Sequence, residues 1–213
     1  MNAITPNRRK RDAGKTRLDI IEAATAEFAA SGLSGARVDA IAARTRTTKR
    51  MIYYYFGSKE GLYEAVLAKA YGGIRDVESR LADAVGDPEA AMRQLIEASF
   101  DYHAANPEFI RLVMIENIHN AEYISASNDI KKRNDVAITT LADLLRRGHA
   151  MGIFKVRAEP IDIHMMISSL CFYRVSNRYT FEALFSCDLN DPGVRSRHRR
   201  MVVETVIRYL RGD

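Results

Sequence analysis

Apolar residues recur at helical spacing along nearly the whole chain, and glycine, proline and capping residues mark the breaks between runs. Ile20, Ile21, Ala24 and Phe28 define the buried face of a first helix expected over residues 15–31, with Gly32 as its stop. Val38, Ile41 and Ala42 repeat the spacing, Thr45 to Thr48 interrupt it, and Ile52 and Phe56 resume it. The pattern predicts a helix, a turn and a second helix. A longer helix should follow from Ser58 toward Ala84. Asp87-Pro88, Asn106-Pro107, Glu159-Pro160 and Asp191-Pro192 each place a cap candidate or acid before proline, which fits the first turn without losing a bond, so four more starts are marked. A further helix is expected over residues 127–151, closed by Gly152, and the last two patterns cover residues 161–185 and 192–210. The sum is about nine helices, little sign of strands and no internal repeat: an all-α fold.

The first turn-linked pair carries the chemistry. A hydroxyl at Thr47 or Thr48 can accept a hydrogen bond from the otherwise unpaired first-turn amides of the second helix. Thr48, Lys49, Arg50, Tyr53 and Tyr54 then point away from the apolar side. A helix fits the major groove of B-DNA, where base edges are distinguishable, and the N-terminal residues of such a helix usually touch them. Lys49 and Arg50 are the expected base readers.

Charge places the same function in the same region. Residues 1–60 hold 12 Lys or Arg against 6 Asp or Glu, whereas the remainder holds 20 against 21, so the excess positive charge of the whole chain lies around this motif. Binding to phosphate with release of counterions needs that concentration, and a general solubility surplus would not produce it. Arg8, Arg9, Lys10 and Arg11 follow Thr5, Pro6 and Asn7 and read equally as a DNA-touching arm or as a solvated tail.

Residues 52–62, an aliphatic residue followed by tyrosines, Phe56 and then Ser58-Lys59-Glu60 with Leu62, resemble the TetR family of bacterial one-component regulators. The resemblance implies an N-terminal three-helix helix-turn-helix domain with its second motif helix in the major groove. It also implies a phosphate contact from Lys59, base or phosphate contact from Tyr53, and positions near the backbone for Tyr54 and Tyr55. The positive end of the helix capped by Ser58 favours the Lys59 role independently. Arg37 departs from the family, which often has a Thr there that caps the first motif helix and touches phosphate; an arginine replaces the contact but not the cap. The DNA-binding set is therefore Arg37, Thr47, Thr48, Lys49, Arg50, Tyr53, Tyr54 and Lys59.

The resemblance further implies a larger C-terminal domain that binds a small organic effector and makes a homodimer through the last two helices. The expected division is a basic flexible arm over 1–14, the DNA-binding domain over 15–60, and the ligand-binding and dimerisation domain over 61–213. Met92, Phe100, His103, Phe109, Met114, Glu116, Asn117, His119, Asn120, Phe172 and Tyr173 mix apolar and polar groups as a ligand wall does, although such stripes also serve as plain packing. Phe172, Val175, Tyr179, Val202, Val206 and Tyr209 are the interface candidates, with intramolecular core as the competing reading. The helix after Ser58, with Lys59 at one end, is the natural lever between ligand and DNA. Glu116 and His119 share a helical face, but two ligands without a third favour hydrogen bonding over a metal site.

Other classes are less well supplied. The five histidines have no catalytic spacing, no glycine loop cradles phosphate, and no cofactor is implied, so an enzyme is not expected. Cys171 and Cys187 read as ordinary reduced thiols. No apolar run reaches membrane-spanning length and no signal-peptide layout opens the chain, so no membrane partner and a cytoplasmic location are expected. The expected function is a ligand-responsive regulator, most readily a repressor, on a pseudo-palindromic double-stranded operator. The alternative is an architectural DNA-binding protein that needs no ligand.

Overall fold

The computed structural model describes residues 6–82 and 86–213, with side chains from 13 to 77 and from 86 onward. Eleven helices and no strand occur among the described residues: α1 (Pro6–Gly35), α2 (Val38–Thr45), α3 (Lys49–Phe56), α4 (Lys59–Ala82), α5 (Pro88–Ala105), α6 (Pro107–Ile118), α7 (Glu122–Ala126), α8 (Asn128–Ala150), α9 (Pro160–Ser176), α10 (Arg178–Phe185) and α11 (Pro192–Arg211). All four proline-marked starts are present. Asp87 and Asp191 cap theirs with carboxylates that accept the N–H groups of Glu89 and Val194. Glu159 makes no side-chain cap, and the Asn106 amide instead donates to the Tyr102 carbonyl, closing α5.

Two expectations are corrected. The count exceeds nine because α7 was not foreseen and because the run over 161–185 is two helices, broken at Asn177, which closes α9 and opens α10. An apolar spacing continues through such a break because the next helix resumes packing, so periodicity alone does not reveal it. The basic segment is also not an extended arm beyond residue 5: α1 begins at Pro6, so Arg8 to Arg11 lie in its opening turns, and residues 1–5 lie outside the described residues. The expected end of α4 near Ala84 is likewise outside them. Gly32 interrupts α1 with φ 67°, a left-handed conformation that costs glycine little.

The chain forms two compact units, one of residues up to Ala70 together with Arg111–Ser127, the other of Tyr71–Ile110 and Asn128–Asp213. In the first, Ile20, Ile21, Ala24, Phe28, Val38, Ile41, Ala42 and Ile52 are buried as their spacing predicts. Residues 111–127 join it through Glu116, a buried carboxylate that accepts the Tyr63 hydroxyl at 2.9 Å and the Ile124 N–H at 3.1 Å. In the second unit, Met92, Ile96 and Phe100 of α5 pack with Leu141 and Leu144 of α8, Ile163 and Ile167 of α9, and Val202, Val206 and Ile207 of α11. Arg195 and Arg199 of α11 reach Asp101, and Arg199 also reaches Glu97, which closes the rim of the α5 and α11 seam. Val202 and Val206 are therefore core rather than interface, because α5 covers the stripe they form; Phe172 and Val175 are half-buried, and Tyr179 and Tyr209 are exposed. Burial pushes the Cys171 thiol up to about 12, leaving it inert.

Candidate nucleic-acid interface

The first three helices set the geometry of the basic motif. α2 and α3 are joined by a three-residue turn in which Arg46 adopts a left-handed φ of 53° and its N–H returns to the Ala42 carbonyl. Thr48, in extended conformation, caps α3: its hydroxyl accepts the Met51 N–H at 3.2 Å. Thr47, the other cap candidate, sits half-buried in the turn. Ile52 anchors α3 with no exposure, while Lys49, Arg50, Tyr53 and Tyr54 all reach solvent. The pairs 49 with 53 and 50 with 54 are four apart, so these side chains share one outward face. Tyr54 is 78% exposed; Tyr55 turns inward to half-burial, edge-on to the Tyr54 ring at 5.5 Å.

The flanking contacts hold this face in place. Phe56 closes α3 under the Arg17 guanidinium, 5.2 Å from its ring centroid. Gly57 then takes φ 75°, and the Ser58 hydroxyl accepts the Gly61 N–H at 3.0 Å, starting α4. Gly61 has no room for a side chain, because a Cβ there would overlap the Phe56 carbonyl. Lys59 donates to the Ser34 carbonyl at 3.2 Å, which ties the start of α4 to the turn before α2.

Two acidic partners in this region were not legible as site residues. Asp39 accepts Lys49 Nζ at 3.2 Å across the motif, so a predicted base reader is ion-paired within the protein. Glu27, buried on α1, accepts the Arg37 N–H at 3.1 Å and lies 3.5 Å from the Arg44 guanidinium. Arg37 itself provides no side-chain cap for α2, as its chemistry requires, and its guanidinium is left exposed. The signal for Glu27 was present: it falls on the apolar face of α1 with Ala24 and Phe28, where an acid needs a partner.

The ligand candidates divide between the units. In the C-terminal unit Met92 and Phe100 belong to the core, His103 and Phe109 are buried with ring centroids 5.9 Å apart, Phe172 is half-buried and Tyr173 is exposed. In the N-terminal unit Glu116 is buried and hydrogen-bonded, while Met114, Asn117, His119 and Asn120 are exposed.

Comparison with known proteins decides the lineage. Residues 20–66 match the family model of bacterial regulatory proteins of the tetR family, and residues 88–206 match that of the tetracyclin repressor-like C-terminal domain. The chain is 32% identical to the HTH-type transcriptional repressor NicS of Pseudomonas putida over 203 residues, 95% of this chain and 96% of that protein. The chain belongs to the TetR family. Another TetR-type relative is the HTH-type transcriptional repressor SCO4008 of Streptomyces coelicolor, 41% identical over 108 residues that span 51% of this chain and 53% of that protein. Among solved structures, SCO4942 from Streptomyces coelicolor superposes with a TM-score of 0.67 at 27% identity, covering 90% of this chain and 96% of that one. The span matched by the tetR-family model, residues 20–66, contains α2, the turn and the capped, solvent-facing α3.

Proposed function

We propose that this TetR-family regulator is a repressor that binds a pseudo-palindromic operator as a homodimer and lets go when a small organic effector binds. The observation that carries the reading is α3: a short helix capped by Thr48 that presents Lys49, Arg50, Tyr53 and Tyr54 together, beside the exposed Arg37. Arg37, Tyr54 and Lys59 are assigned to phosphate, Lys49 and Arg50 to base edges, Tyr53 to either, and Thr47 and Thr48 to the approach of the backbone. Repression is suggested by the names of NicS and SCO4008, both repressors.

Dimerisation is supported by apolar side chains that the C-terminal helices leave in solvent: Ile161, Met165 and Tyr173 on α9, Tyr179 and Leu184 on α10, and Met201 and Tyr209 on α11. Two reading heads on a two-fold axis would meet half-sites about one helical turn apart. No described helix is long and apolar enough to cross a membrane, in keeping with action on cytoplasmic DNA.

Selection of bound duplexes from a random-sequence pool, followed by titration of the best one across a salt series, tests the assignment. A palindromic consensus whose preference relaxes in Lys49→Ala and Arg50→Ala is expected. Binding without sequence preference, merely weakened by both substitutions, would leave the architectural alternative.

A further inference from the structure

Between Arg37 and Lys59 the basic side chains divide into two groups. Arg44 is held by Glu27, Lys49 by Asp39 and Lys59 by the Ser34 carbonyl. The guanidinium groups of Arg37, Arg46 and Arg50 are exposed, and no hydrogen bond or ion pair holds them among the described residues. Arg37 and Arg50 have roles in the reading above. Arg46 has none.

The backbone makes Arg46 the unusual member. It closes α2 in a left-handed conformation, φ 53° and ψ 30°. Its N–H and that of Thr47, the latter at 3.2 Å, both return to the Ala42 carbonyl, so backbone bonds fix the turn and demand a positive φ whatever side chain stands there. Glycine meets that demand at no steric cost and asparagine at little, whereas the Cβ of a long side chain is penalised. A positive charge is favourable at the C-terminal end of α2, but Arg44 in the last turn already supplies one. A strained residue whose side chain bonds nothing within the protein points to a partner outside it.

Its position says which partner. Arg46 stands two residues before Thr48, the cap of α3. Thr47 is half-buried and the Thr48 hydroxyl accepts the Met51 N–H, which leaves Arg46 as the charged, solvent-facing side chain of the turn. A helix that enters the major groove by its N-terminus brings the residues just before it to the rim of the groove, and the rim is phosphate.

We propose that Arg46 is a further DNA contact, a phosphate-binding arginine at the edge of the groove that α3 enters, so that α2 carries a backbone-directed cation at each end, Arg37 and Arg46. This rests on reading α3 as the element in the groove. A guanidinium can meet phosphate oxygens with two parallel N–H donors, and the contact carries no base information, so it adds affinity for any duplex.

The full chain is titrated against the selected duplex and a scrambled one across a salt series, as the parent protein and as Arg46→Gly, Arg46→Asn and Arg46→Lys. Arg46→Gly and Arg46→Asn should each lose about fivefold in affinity at about 0.1 M salt, by the same factor on both duplexes, and flatten the slope of log affinity against log salt by about one. Arg46→Lys keeps the charge and should keep the slope. The melting temperature of Arg46→Gly should rise by roughly a few degrees, because the strain is gone, which separates lost contact from lost fold. Parent affinity and slope in both neutral variants would overturn the proposal. A loss confined to the selected duplex would overturn it too, since that is the mark of base reading. A parent protein without preference between the duplexes would remove the operator reading, and a flattened slope in the neutral variants would then still support the phosphate contact.

Discussion

The Glu27 carboxylate accepts the backbone N–H of Arg37 at 3.1 Å, so an acid buried on α1 serves the residue that starts α2. A negative group beside the positive end of a helix is favourable, and this one also faces the Arg44 guanidinium at 3.5 Å. Removing both contacts should cost about 2 kcal/mol, the usual scale for a hydrogen bond to a charged acceptor. Glu27→Leu is therefore expected to lower the melting temperature clearly, whereas Glu27→Gln, which still offers an oxygen to the Arg37 N–H, should lose less. Thermal denaturation of the two variants side by side checks this.

Arg37 predicts effects of opposite sign on stability and binding. Arg37→Thr supplies the hydroxyl cap that α2 lacks and should stabilise the protein by about 0.5 to 1 kcal/mol. The same change removes the cation proposed to contact phosphate, so duplex affinity should fall and the slope of log affinity against log salt should flatten by about one. A variant that gains stability and keeps full affinity would show that Arg37 does not touch DNA.

Lys49 is held by Asp39 at 3.2 Å, with both side chains exposed. An exposed pair contributes little to folding, so Asp39→Asn should leave the melting temperature nearly unchanged. It releases Lys49 and removes a negative charge from the proposed DNA-facing surface, and affinity at low salt should rise by about threefold or more. Fluorescence anisotropy with the selected duplex and with a scrambled one would measure the gain and show whether discrimination falls as affinity rises.

His164 links stability to pH. Its protonation is depressed in the folded protein to about 4 from 6.5, and His103 is displaced in the same direction, both chiefly by burial. The unfolded chain therefore binds more protons between these values, and stability should be fully present above about pH 6.5 and decline as pH falls toward 4. Denaturant titrations at steps across that window, with His164→Gln beside the parent protein, should show a shallower decline in the variant.

Gly148 lies against the Phe154 ring, which a Cβ at 148 would penetrate. Phe154 is buried in the α5, α8, α9 and α11 core and cannot move freely, so Gly148→Ala should destabilise by about 1 to 3 kcal/mol despite the better helix propensity of alanine. A rise in melting temperature would show that the ring repacks without strain.

Local signals determined much of this protein. The Thr48 cap, the Ile52 anchor and the outward set of Lys49, Arg50, Tyr53 and Tyr54 follow from residues within a few positions of one another, as do the four proline-marked helix starts and the Gly152 stop; short-range hydrogen bonds and helical periodicity are written in adjacent residues. The tertiary structure decided what depends on distant partners. Val202 and Val206 are core because α5 covers them, an outcome that an apolar stripe leaves open. Lys49 meets Asp39, Arg44 meets Glu27, and the sequence shows each charge but not which one folding brings within 4 Å. Arg75, His103 and His164 lie far apart along the chain, and only the packing of the C-terminal unit lets the Arg75 guanidinium push the protonation of both imidazoles down. Burial and electrostatic coupling are properties of the packed chain, so no local pattern encodes them.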